Sequence, residues 1–181
     1  MATIHTVLLS IKAEKSILTT TTFPIFPTIL SRLGEVLHDT SVRLVVLAIV
    51  LIWFQIKVTV VTFFLFFLSL IPAIIFTLGL GMLLSILDLV VQDTRRIVLL
   101  ILRYGLFLSS VIFPFPEVGW AGAINNFNFF NTYVNASRDL LYHGRIENLS
   151  LYVYTSIAGI IIFLVAAKLI YSMDYKIREY L

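Results

Sequence analysis

Residues 58–87 read VTVVTFFLFFLSLIPAIIFTLGLGMLLSIL, without a single ionisable side chain. Asp88, Asp93, Arg95 and Arg96 follow at once, and then a second apolar run from Ile97 to Phe113 broken only by Arg103. No water-soluble core needs an uncharged run of this length. An apolar stretch of about 18 residues or more reads as a membrane span. Inside lipid each backbone amide must be paired within the segment, so these runs are expected to be helices. Residues 58–91 would extend roughly 50 Å as one helix, against a hydrocarbon core of about 30 Å. Two spans and a turn would need more than about 40 residues. A single long, tilted helix is therefore expected, kinked at Pro72. The charged cluster after it marks a hairpin turn in water.

Composition agrees. Of 181 residues 60% are apolar and 13% charged, against about 25% charged in soluble domains. The net charge of +3 is no nucleic-acid signal, because the basic residues sit at span ends, where they set topology and meet lipid headgroups. Cysteine is absent, which excludes disulfides and thiolate metal sites. His5, His38 and His143 show no ligand spacing. No phosphate-binding loop of the G-x-x-x-x-G-K-[ST] type and no G-x-S-x-G nucleophile motif is present, so neither ATP hydrolysis by that route nor hydrolase chemistry is supported. No cofactor is implied. The apolar stretch Val7–Ile11 is too short for a cleavable signal.

Working outward, residues 1–29 read as weakly amphipathic and then irregular. A helix starts near Thr28, with Arg32, Glu35, Asp39 and Arg43 on one polar stripe, and becomes wholly apolar from Leu44 to Phe54. Gln55-Ile56-Lys57 is a turn. The expected fold is an all-α membrane protein with a cytoplasmic amphipathic N-terminal segment and four transmembrane helices at about 40–56, 58–91, 96–114 and 149–171. Residues 117–148, with pieces too short to cross, form a re-entrant or interfacial region before the last span. With four spans, all 13 lysines and arginines except Lys57, Arg138 and Arg145 fall on the side of both termini. The positive-inside rule makes that side cytoplasmic.

Few residues invite chemistry. Asp88 and Arg103 are the ionisable groups deepest in the hairpin and could pair across it; alternatively Arg103 snorkels and Asp88 caps the water-facing end. Thr77, Gly81 and Ser85 repeat every four residues, a pattern that admits close helix packing within the chain or a dimer seam. Aromatic residues such as Trp53, Phe64, Phe115 and Trp120 gather toward the external half, as an interfacial belt or a surface for stacking a sugar chain or lipid carrier. Asn135-Ala-Ser and Asn148-Leu-Ser match glycosylation acceptors, by chance if the source is bacterial.

Three stretches together resemble a known family. Phe23-Pro24-Ile25-Phe26-Pro27 is similar to the segment after the cytoplasmic coupling helix of type-2 ABC transporter permeases of the polysaccharide-export kind (O-antigen, teichoic acid, capsule). Leu78-Gly79-Leu80-Gly81-Met82-Leu83-Leu84 with Gln92-Asp93 is similar to their hairpin, although Gln92 stands where arginine is usual. Asn128 through Arg138 and Asp139-Leu140-Leu141 resemble the segment before their last span, and Phe107 to Ile112 echoes a further motif. Ser110 and Phe129 stand in place of usual prolines. The family's first amphipathic helix and two spans are missing, so the chain reads as the C-terminal portion of such a permease.

The resemblance implies a homodimer in a bacterial or archaeal inner membrane. A separate ATPase subunit would dock on a coupling segment at about residues 8–24, with Lys12, Glu14, Lys15, Phe23 and Pro24. A lipid-linked glycan would be moved outward past a gate near Trp120, Asn128 and Arg138. The hairpin Asp93, Arg95 and Arg96 would face the cytoplasm. Other partners expected are membrane lipid and no nucleic acid. The rival expectations are an exporter subunit for a drug, haem or lipid, and a non-transporting scaffold left by truncation.

Overall fold

The computed structural model describes residues 2–20, 24–55, 58–91, 93–105 and 128–180. Among these there is no strand, and the helices are α1 (Ala2–Ala13), α2 (Lys15–Thr20), α3 (Ile25–Trp53), α4 (Val60–Val90), α5 (Thr94–Gly105), α6 (Phe129–His143) and α7 (Leu149–Tyr180). Phe23, Gln92, Trp120, the far half of the expected third span and residues 117–127 lie outside the described residues.

Among the described residues three helices are long and apolar enough to cross a membrane: Ile25–Trp53, Val60–Val90 and Leu149–Ile177. At 31 residues α4 is about 47 Å long, longer than the core, and Pro72 lies inside it. The helix expected from Thr28 begins at Ile25. Pro24 takes the cap position and Pro27 falls in the first turn, where the missing N–H has no intrahelical acceptor to lose. The last helix runs on past the expected end at Tyr171.

Large apolar side chains cover much of the outside of the bundle. Val46, Ile49 and Ile52 of α3, Phe64 and Leu68 of α4, and Ile161 and Leu164 of α7 are exposed. The buried face of α4 carries Ser69, Thr77, Gly79, Gly81, Ser85 and Asp88 beside Phe66, Phe76, Leu78 and Met82. Lipid solvates apolar side chains, so helix association there relies on close backbone contact and polar links. A methyl group on Gly79 would lie 2.7 Å from Phe163 Cα and 2.7 Å from its backbone nitrogen, which is how nearly α4 and α7 touch. On Gly81 it would lie 2.8 Å from Val7 Cβ of α1. The Thr77–Gly81–Ser85 stripe is therefore used within the chain.

α4 and α7 run parallel. The Tyr152 hydroxyl donates to the Ser69 carbonyl (3.1 Å) near their N-termini, Gly79 meets Phe163 farther along, and Met82 shares a core with Ala166 and Ile170. α1 runs the same way, with Val7 beside Gly81 and Lys12 beside Asp88. α3 starts at that same end, where its Ile25 N–H meets Asp174 of α7, and returns.

In α1 Ile4, Val7, Leu8 and Ile11 are buried, and the helix packs lengthwise along α4. Its apolar face follows a bundle neighbour rather than a water boundary.

Candidate functional site

Several charged residues converge on the end of the bundle where α4 stops. Asp88 sits in the last turns of α4, where the helix dipole disfavours a carboxylate, and it is 1% exposed. A buried carboxylate must be paired. Lys12 Nζ lies 2.8 Å from its Oδ2 and donates to the Asp88 backbone carbonyl at 2.7 Å, so one ammonium serves both the acid and a helix-end acceptor. The partner expected across the hairpin, Arg103, is exposed on α5. The ion pair that forms is Lys12–Asp88. Thr77, Gly81, Ser85 and Asp88 lie on one face of α4 by their spacing, and that face meets α1, whose last turn carries Lys12.

Glu14, in the turn between α1 and α2, forms an ion pair with Arg32 of α3. Arg32 also donates to Glu35 at 2.6 Å. Lys15 and Pro24 are exposed. At the end of this turn the α3 N-terminus lacks a side-chain cap of its own. The Ile25 N–H donates instead to Asp174 Oδ1 of α7 at 3.3 Å, placing a carboxylate where the helix dipole favours one. Asp174 was not singled out in the sequence. Its one signal was an acid among apolar residues near the end of an otherwise spanning helix.

Beyond Val91, Asp93 and the first turn of α5 carry Arg95 and Arg96 into the open. Arg96 lies 3.5 Å from Asp93 Oδ1, an exposed pair of small energetic weight. The structure thus brings Lys12, Glu14 and Asp88 to one end, together with Arg32 and Asp174. Glu35 and Asp39 continue up α3 as exposed groups.

The opposite end holds α6. The Asn128 side chain accepts from the Phe130 N–H at 3.1 Å, an N-cap, and Gly144 (φ 70°) ends the helix in the left-handed conformation. Tyr133 donates to the Thr155 carbonyl of α7 at 3.0 Å, while Phe76 of α4 packs against Phe129, Phe130 and Tyr133. Burial pushes the Tyr133 phenol up to about 12, so it stays a neutral donor. Of the expected gate residues, Asn128 is spent on capping, Arg138 is half-buried on α6 and Trp120 is not described. Among the described residues no cluster of His, Cys, Asp and Glu could hold a metal.

The described residues form a bundle with a charged turn at one end and an aromatic, hydroxyl-linked helix at the other. A family model described as "ABC-2 type transporter" matches residues 6–142, from the middle of α1 through α6. No curated protein matches the chain.

Proposed function

Because the chain belongs to the ABC-2 type transporter family, and is thus a multi-pass membrane permease component rather than an enzyme, we propose that it exports a lipid-linked polysaccharide across a bacterial or archaeal inner membrane. Such permeases normally work with an ATPase subunit. The proposed assembly is two copies of this chain with a separate ATP-binding cassette subunit on each.

The observation that carries the reading is the family match over a bundle whose charged turn from α1 into α2, with Lys12, Glu14 and Lys15, sits at one end beside Asp88 and the Asp93–Arg96 hairpin. That turn is the proposed docking surface, and its end is the proposed cytoplasmic face. The buried residues Leu8 and Ile11 narrow it from the expected 8–24 to residues 12–24. A crossing over 96–114 completes four spans. The parallel run of α4 and α7 supports it, since a chain that leaves one end at Val90 and starts α7 at the other must return in between. The proposed exit gate is the α6 region with Trp120, Asn128 and Arg138. The glycan assignment rests on the resemblance of the 23–27, 78–93 and 128–141 stretches to polysaccharide exporters.

Deleting the gene tests the substrate. Loss of surface polysaccharide with lipid-linked glycan retained inside supports the assignment, and an unchanged surface glycan rejects it. Sidedness is tested with R95C in intact cells. A membrane-impermeant maleimide should label it only after the cells are opened.

A further inference from the structure

The outer side of α7 changes chemistry twice along its length. Tyr154, near the start, is exposed. Ile157, Ile161, Leu164 and Val165 follow, all exposed. Then come Lys168, Tyr171, Tyr175 and Lys176, also exposed. Their spacing keeps them on one side of the helix. Tyr154 and Tyr171 are about 25 Å apart along the axis, and Tyr154 and Tyr175 about 32 Å. The hydrocarbon core of a bilayer, about 30 Å thick, falls between these two values. Tyrosine favours the edge of that core, because its ring is apolar and its hydroxyl needs a polar neighbour.

The two edges differ in charge. Around Tyr154 the exposed neighbours on α7 are Val153 and Ile157. Around Tyr171 and Tyr175 they are the two lysines, and among the described residues neither lysine has an ion-pair partner. Asp174 lies in the same turns, but its carboxylate accepts the Ile25 N–H of α3. Phe26 of α3 seats the Tyr171 ring, with centroids 6.1 Å apart. We propose that Lys168, Tyr171, Tyr175 and Lys176 form a binding surface for the headgroup phosphate of an anionic phospholipid, in the leaflet at the end of the bundle where α4 stops. The lysines, about 12 Å apart along the axis, approach a headgroup from either side on long flexible stems. The tyrosine hydroxyls donate to phosphate oxygens, and the acyl chains run along Leu164 and Val165. A free phosphate ion would make only the polar half of this contact. The proposal needs α7 to cross a membrane and nothing more, so it stands apart from the substrate and the docking surface proposed above.

The test titrates the whole chain, in a neutral detergent, with phosphatidylglycerol or phosphatidylcholine and counts bound lipid by native mass spectrometry. Each lysine at an anionic surface contributes about fivefold, so the wild type should prefer phosphatidylglycerol by roughly 20-fold. K168Q and K176Q should each lose about fivefold of that preference, and K168Q/K176Q should lose nearly all of it. R145Q, which removes an exposed cation at the opposite end of the bundle, should keep it. Equal affinity of the wild type for the two lipids, or an undiminished preference in K168Q/K176Q, overturns the proposal. Displacement of bound phosphatidylglycerol by inorganic phosphate also overturns it, since the site would then take the free anion. A second measurement locates the edge without touching charge. The chain has no cysteine, so single spin labels can be placed without background in vesicles of the two lipids. I161C should collide more often with oxygen than with a water-soluble nickel complex, and S172C should reverse that order. Ready access of the nickel complex to I161C would place this face in water and overturn the lipid surface.

Discussion

Single side chains at the helix contacts decide how near the backbones come. Gly79 and Gly34 form a natural pair for comparison. A methyl group at 79 meets the Phe163 backbone, which cannot rotate away, whereas at 34 nothing lies within 4 Å. Gly79→Ala is expected to destabilise the bundle by about 1–3 kcal/mol, the usual cost of overpacking. Gly34→Ala should be neutral or stabilise by up to about 1 kcal/mol through helix propensity. Thermal unfolding in detergent, read by near-UV circular dichroism, separates the two, and equal shifts would refute the close α4–α7 approach. Tyr133→Phe removes one buried hydrogen bond and keeps the ring against Phe76. Its expected cost is about 1 kcal/mol in the same assay, with no change of fold. The sequence singles out Asp88 and leaves open a pair with Arg103 or a cap at the water-facing end. A further hint lies in the register: Asp88 continues the Thr77–Gly81–Ser85 face, the one small enough to accept a neighbouring helix. Which helix fills that face, and that its last turn ends in Lys12, depends on residues 76 positions away.

Capping is local in α6 and long-range in α3. α6 is capped by its own Asn128 and closed by Gly144, both neighbours in sequence. Asn128→Ala should cost about 1 kcal/mol and speed amide hydrogen exchange over the first turn of α6, leaving α7 unaffected; unchanged exchange at Phe130 and Asn131 would contradict the cap. In α3 the first amide finds a carboxylate 149 residues later. No local pattern around Pro24 announces that. The start of α3 at Ile25 rather than Thr28 has the same root: two prolines look like an obstruction to a helix, yet the first turn has no amide bonds for Pro27 to remove. The seat of α1 along α4 is open in the sequence for a related reason. A dozen residues with one apolar face can lie on a water boundary or along another helix, and the periodicity is the same in both cases.

At the scale of the whole molecule, the exposed apolar band on α3, α4 and α7 defines what must be covered by lipid or by other protein. Single cysteines at Val46, Phe64 and Leu164 should resist a water-soluble maleimide in liposomes, while D93C reacts rapidly. Rapid reaction at all four positions would rule out the proposed membrane-embedded band. The three long helices were legible in residue order because the bilayer imposes a length and forbids unpaired backbone, and these two constraints act on consecutive residues without reference to the rest of the chain. Contacts between separate elements were not. The Lys12–Asp88 pair, the Asp174 carboxylate at the start of α3 and the lengthwise seat of α1 on α4 join residues far apart in sequence. Their energies come from desolvation and direct contact, which exist only once the helices have been brought side by side.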